Sequence, residues 1–253
     1  KKELESIARI SVFYREYLCE IVGDEDQLFK EEYIQYYEGS IHHDDEGQAF
    51  LDIEYINDKE TSETRPVNIF IGVDPASSTR QTADYSTIVP VAIDKENNRF
   101  VLPFHRKRST PMDLAESILE YYNIYKPEKM RIESVGYQEM LRDYLKRRCD
   151  DEGIFIPGLE IKETPRNSKS YRLETMEPYF AQNKIFIRKD QLSLKDELLL
   201  YPRGKHDDIL DGMYYAMKKT YTPMHRKEGE KAKEQTFQER NKKLKDGGDW
   251  LVA

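Results

Sequence analysis

Asn68-Ile-Phe-Ile-Gly-Val73 is a short, apolar, β-branched run, and it leads directly into Asp74-Pro-Ala76. A run of this length and composition predicts a strand buried on both faces. A carboxylate at the carboxyl end of such a strand is costly unless something compensates its charge, and a divalent cation is one such partner.

Downstream of Asp74 the pattern alternates. Ser86–Ile93 and Arg99–Phe104 read as strands separated by the turn-like Asp94-Lys-Glu-Asn-Asn98, which predicts three antiparallel strands in a row. Met112–Tyr125 reads as a helix with Ser109 or Thr110 as its cap and Pro111 in its first turn. Then follow a strand at Lys129–Ser134, a helix at Tyr137–Asp150, a strand at Leu159–Glu163 and a helix at Ser168–Gln182. The series ends with a strand at Ile185–Arg188, a helix at Leu192–Tyr201 and a last helix at His206–Tyr221. Strands first, then strands and helices in alternation, predict an α/β fold with a mixed sheet covered on both faces.

Upstream, residues 1–38 read as helical and amphipathic, broken by Gly23-Asp-Glu-Asp26, and the aromatics between Phe29 and Tyr37 read as packing residues. Residues 39–66 are polar and acidic, with one strand candidate near Phe50–Ile56. The expected organisation is a helical and acidic linker over 1–66, a main domain over 67–222, and a charged, mobile tail over 223–253.

The 253-residue chain is large enough to bury a core, and no run approaches the roughly eighteen apolar residues that span a bilayer. No secretory signal pattern is present, and Cys19 and Cys149 lack metal or redox spacing, so they read as free thiols. The net charge of −8 is unevenly distributed. Residues 1–66 carry seven basic and eighteen acidic residues, a balance of −11, and the remainder carries thirty-three and thirty, a balance of +3. Overall acidity therefore does not exclude a nucleic-acid substrate for the main domain.

Acidic residues stand out at three places. Asp74 ends the first strand, Glu133 ends Met130-Arg-Ile-Glu133, and Asp207, Asp208 and Asp211 open the last helix in His206-Asp-Asp-Ile-Leu-Asp211. Residues 208 and 211 lie on neighbouring turns of one helical face. Each has a plainer reading: a turn residue, an exposed strand end, a helix cap. Brought together, they would form an all-oxygen site for Mg2+ or Mn2+. Basic residues surround these positions: Arg106 and Arg108 after a strand, Arg166, Lys169 and Arg172 at a loop-to-helix junction, and Lys205 before the acidic helix. A solvated basic face is the plainer reading, and sequence-independent, salt-sensitive phosphate contacts are the functional one. Asp84 is a candidate for arranging the loop after the first strand, and His206 for orienting a carboxylate or touching a phosphate.

Taken together, Ile69–Ala76, Ala83-Asp-Tyr-Ser-Thr-Ile-Val89, Met130–Ser134 and His206–Asp211 with Ala216 resemble the nuclease domain of tailed-phage terminase large subunits. Glu25–Tyr33 resembles that family's link between motor and nuclease. The resemblance implies an RNase H-like fold, close to Holliday-junction resolvases, with a mixed five- to six-stranded sheet and helices on both faces. It implies an endonuclease that cuts double-stranded concatemeric viral DNA during packaging, inside the host cytoplasm. Asp74, Glu133 and Asp208 would be the catalytic metal ligands, with Asp207 and Asp211 as candidates for a second ion. Two divalent cations roughly 4 Å apart would then hold the scissile phosphate, one activating water and the other stabilising the leaving oxygen. Implied partners are an ATPase motor, a small subunit and a capsid portal. No Gly-x-x-x-x-Gly-Lys-Ser/Thr loop occurs and the chain begins at Lys1, so we expect an isolated C-terminal nuclease domain without its motor. A junction resolvase, a transposase-like enzyme and a non-catalytic portal-docking module remain as alternatives.

Overall fold

A computed structural model describes residues 28–76, 85–133, 138–153, 156 and 168–223. Within these, eight strands run β1 (Gln35–His43), β2 (Ala49–Ile56), β3 (Lys59–Asp74), β4 (Ser86–Ile93), β5 (Arg99–Val101), β6 (His105–Lys107), β7 (Lys129–Ile132) and β8 (Ile185–Ile187). Six helices accompany them: α1 (Pro111–Tyr125), α2 (Gln138–Glu152), α3 (Lys169–Glu174), α4 (Glu177–Ala181), α5 (Leu192–Leu200) and α6 (Asp208–Met217). The strand order is β6-β4-β5-β8-β1-β2-β3-β7, with β3 also paired to β4.

The sixteen-residue β3 organises the sheet. Its polar first half pairs antiparallel with β2, and its apolar second half lies between antiparallel β4 and parallel β7. Alternation along that second half separates two cores. Ile69, Ile71 and Val73 face α1 and α2 with Leu114, Ile118, Leu141 and Leu145, while Phe70 faces the helices that carry Leu173, Leu198, Ile209 and Met213. The period-two pattern of a doubly buried strand is thus realised, with helices on both faces.

Residues 67–222 supply six strands, counting the second half of β3, and two more come from the segment expected to be a linker. The helical reading of residues 28–38 is corrected: after a 3-10 turn at Glu31–Tyr33, Gln35–His43 is a strand. Tyr37 turns inward, donates its hydroxyl proton to the Val101 carbonyl and packs edge-on against Phe100, so cross-strand packing overrides a weak helical spacing. The aromatics here do pack, Phe29 lying 4.8 Å from the Phe180 ring. The candidate strand near Phe50–Ile56 is β2.

The helix expected over Ser168–Gln182 is divided into α3 and α4. Pro178, in the first turn of α4, has no N–H to bond back to Glu174, so the first helix cannot run through it. The final helix is shorter than expected, starting at Asp208 after an Asp207 cap and ending at Met217. Arg131 of β7 donates to the carbonyls of Tyr215 and Lys219 and so closes its carboxyl end. Thr110 and Asp113 form a reciprocal capping box at α1 with Pro111 in its first turn. Cys149 of α2 is buried in the core beside α1. No helix among the described residues is long and apolar enough to cross a membrane. The expected strand at Leu159–Glu163, residues 1–27 and the tail from 224 onward lie outside the described residues.

Candidate active site

The backbone of α6 lies directly on β3. Only glycine fits at this crossing: a Cβ on Gly72 would stand 1.9 Å from the Gly212 carbonyl oxygen. Asp74 is two residues beyond Gly72 on the same strand face, and Asp208 is one turn before Gly212, so the crossing carries both acids to the same end of the sheet. Parallel pairing of β7 with β3 continues into the Glu133 N–H, which donates to the Val73 carbonyl and sets Glu133 beside Asp74. Thr87 of β4, paired with Asp74, donates its hydroxyl to the Asp208 carbonyl at 2.9 Å. The Tyr85 N–H reaches Asp208 Oδ2 at 3.3 Å.

Four acids from three elements therefore share one neighbourhood, and their charges act on one another. Burial, the Asp211 charge and contact with the Glu133 carboxyl hold the Asp74 carboxyl well above its ordinary range, with Asp208 adding to the effect. Burial also raises Asp211, against the attraction of Lys169 and Arg172.

Lys169 and Arg172 of α3 point into this acidic cluster. Lys169 Nζ lies 2.6 Å from Asp207 Oδ1 and 2.5 Å from Asp211 Oδ2. Burial works against its charge, yet the two carboxylates hold the ammonium above the usual lysine range. Arg172 is buried and donates to Glu133 Oε1 at 3.2 Å and to the Tyr215 hydroxyl at 2.7 Å. Tyr215 in turn donates to the same Glu133 oxygen at 2.8 Å. Neither Tyr215 nor Gly212 stood out in the sequence, although Asp211-Gly-Met-Tyr-Tyr215 places both on the acidic helix.

A second group forms the rim around Tyr85. The guanidinium groups of Arg106 and Arg108 lie 4.0 and 4.2 Å from its ring centroid, and His206 meets the ring edge-on at 5.2 Å. His206 Nδ1 is 3.6 Å from Asp208 Oδ2. Arg108 and Lys205 are exposed beside the acidic helix. Arg106 also reaches inward, 3.3 Å from Glu197 Oε1. Glu197, which sequence reasoning missed because a mid-helix Glu looks like surface, is buried, and its other oxygen accepts the Ile209 and Leu210 N–H groups of α6. It caps the helix that carries Asp208. Asp84 and Arg166 lie outside the described residues.

The donor chemistry fits a hard divalent cation: every acid here offers oxygen, Asp74 lies among the charges of Asp211, Glu133 and Asp208, and among the described residues Asp211 Oδ1 is buried without a hydrogen-bond partner. Among the described residues, no three such side chains already form a closed ligand group.

The family described as Terminase RNaseH-like domain matches residues 71–220. Among solved structures, the large terminase nuclease from thermophilic phage G20c with bound magnesium is 18% identical over 78% of this chain and 99% of its own, with a TM-score of 0.49. The P22 large terminase nuclease domain is 14% identical over 59% of this chain and 79% of its own, with a TM-score of 0.43. The yeast mitochondrial Holliday junction resolvase Ydc2 is 15% identical over 58% of this chain and 76% of its own, with a TM-score of 0.37. No curated protein matches the sequence.

Proposed function

Because the chain belongs to the terminase RNase H-like domain family, and its sheet is RNase H-like, we propose that it is a divalent-cation-dependent endonuclease cutting double-stranded concatemeric viral DNA during genome packaging. One observation carries this reading: Asp74, Glu133, Asp208 and Asp211, separated by up to 137 positions in sequence, act on one another across a single sheet end. A structural role would not require four acids in a buried neighbourhood where each raises the cost of ionising the next.

Asp74, Glu133 and Asp208 would hold the cation, with Asp207 and Asp211 as the further acids of the two-ion expectation. Bound there, divalent cations would polarise the scissile phosphate and lower the pKa of an attacking water. Tyr215 and Arg172 fix one Glu133 oxygen, and the Glu133 carboxyl meets that of Asp74. Arg108 and Lys205 would grip the phosphate backbone without reading sequence, and His206 would orient the Asp208 carboxyl. An ATPase motor, a small subunit and a capsid portal are the expected partners, in the host cytoplasm.

Plasmid cleavage with Mn2+, Mg2+ or EDTA, beside Asp208→Asn, tests the reading. Nicking and linearisation that need the metal and vanish in the variant are expected. Absence of cleavage and of metal binding would favour a docking module instead. A strong preference for four-way junctions over linear duplex would move the substrate to a recombination intermediate.

A further inference from the structure

Tyr85 stands immediately before β4, where Ser86 pairs with Lys107 and Thr87 with Arg106 of β6. The same antiparallel register, carried one step further, sets Tyr85 opposite Arg108. Tyr85, Thr87, Arg106 and Arg108 therefore share one face of the sheet, the face on which the Thr87 hydroxyl meets the Asp208 carbonyl.

The two arginines over the Tyr85 ring are held differently. Arg106 is the inner one, 3.3 Å from Glu197 Oε1, and the other Glu197 oxygen accepts the Ile209 and Leu210 amides at the start of α6. His206 meets the ring edge at 5.2 Å, so the ring is seated by Arg106 and His206 together. Arg108 is exposed and lies against that seated ring, 4.2 Å from its centroid. A surface arginine carries about 2 kcal/mol of rotamer entropy, and stacking removes part of it before any ligand arrives. Stacking engages the face of the guanidinium, whereas its N–H donors lie in its plane, in the fork that suits a phosphate. The main chain of Tyr85 reaches the acids as well, its N–H donating to Asp208 Oδ2 at 3.3 Å.

We propose that Tyr85 is a positioning residue for the DNA backbone: its ring presets Arg108 to grip a backbone phosphate as a fork, at a fixed offset from Asp208. The inference rests on the nuclease reading above and adds to it a residue that acts through Arg108. Tyr85 ties the two functions of the rim together, holding a proposed cation ligand through its backbone and a phosphate-gripping arginine through its ring.

The test is a double-mutant cycle between Tyr85 and Arg108. It is read as the Kd of a fluorescent linear duplex in EDTA, and as the KM and kcat of plasmid cleavage in Mn2+. Tyr85→Leu should raise Kd and KM about two- to fivefold, the range of one exposed cation–π contact, and change kcat less. Tyr85→Phe keeps the ring and should restore the wild-type values. In the Arg108→Ala background Tyr85→Leu should add nothing, because the arginine that it positions is gone. Arg108→Lys keeps the charge without the fork and should weaken binding as Tyr85→Leu does. Its position is exposed, so the inference stays at risk even if Tyr85→Leu does not fold. Equal Kd for wild type and Tyr85→Leu would overturn the inference, as would a Tyr85→Leu effect undiminished without Arg108, or wild-type binding by Arg108→Lys. Metal-dependent cleavage by the wild type would in each case leave the nuclease reading intact. A wild type that neither binds duplex nor cleaves it with any metal would overturn that reading and the inference with it.

Discussion

Gly72 of β3 and Gly212 of α6 stand back to back, and the crossing they permit fixes the distance between Asp74 and the acidic turn of the helix. A Cβ on Gly72 would lie 1.9 Å from the Gly212 oxygen and 2.4 Å from the Ala216 nitrogen, both backbone atoms that cannot rotate away. Gly72→Ala should therefore destabilise the protein by about 3 kcal/mol, the upper end of what buried overpacking costs. A Cβ on Gly212 meets the side chains of Thr87 and Val89 at 2.8 Å. These can shift, so Gly212→Ala should cost about half as much. Urea unfolding midpoints order the two variants. Equal midpoints for wild type and Gly72→Ala would mean that strand and helix separate at no cost and that the crossing does not set the site.

Glu197 links stability to pH. Burial pushes its carboxyl up to about 8, outweighing the attraction of Arg106 and the Ile209 and Leu210 amides. The folded state thus holds a proton that the unfolded chain releases near the ordinary glutamate value of 4.5. Between those values the folded state binds more protons, so the Glu197 contribution to stability falls as pH rises and levels off above about 8. Glu197→Gln keeps an oxygen for the α6 amides and cannot titrate. Subtracting its stability profile from the wild-type profile over this window should leave a downward slope. Parallel profiles would show that Glu197 ionises elsewhere.

Arg106 and Arg108, adjacent in the sequence reading as DNA contacts, should separate in experiment. Arg106 is paired with Glu197 and mostly buried, whereas Arg108 is exposed over Tyr85. Arg106→Ala should cost about 1 kcal/mol at pH 6, where Glu197 keeps its proton, and about 3 kcal/mol at pH 9, where an unpaired carboxylate would be left buried. Arg108→Ala should leave stability unchanged and lower the salt dependence of DNA binding by about one phosphate contact. A loss of stability in the Arg108 variant, or none in the Arg106 variant, would reverse the assignment.

What the sequence disclosed follows from which interactions are local. The apolar run ending at Asp74, the cap at Thr110 and the turn at Asp94–Asn98 are written in neighbouring residues, and each is found where expected. The strand at Gln35–His43 was hidden because its partners lie at residues 49–56 and 186–187, and only pairing with them turns Tyr37 inward. The acids were legible through their strand and helix ends. Their regulators were not: Lys169 and Arg172 read as a basic helix face, and nothing in their spacing says that this face looks toward Asp207, Asp211 and Glu133 rather than toward solvent.

Tyr215 offers the most direct measure of how Glu133 is held. Its hydroxyl donates to Glu133 Oε1 at 2.8 Å and accepts from Arg172 at 2.7 Å, and the ring is almost wholly buried. Tyr215→Phe keeps the ring's packing and removes only the oxygen. Glu133 then keeps the longer 3.2 Å contact to Arg172 and gains freedom to rotate away from Asp74. Outer partners that orient a ligand typically contribute 10- to 100-fold in affinity, so Mn2+ binding by calorimetry should weaken about tenfold. The unfolding free energy should fall by only about 1 kcal/mol, one buried hydrogen bond. If affinity holds while stability falls, Tyr215 braces the helix and not the ligand. If affinity falls as expected and Glu133→Gln adds no further loss, the Tyr215 hydroxyl acts through Glu133, and the carboxylate it orients belongs to the metal site.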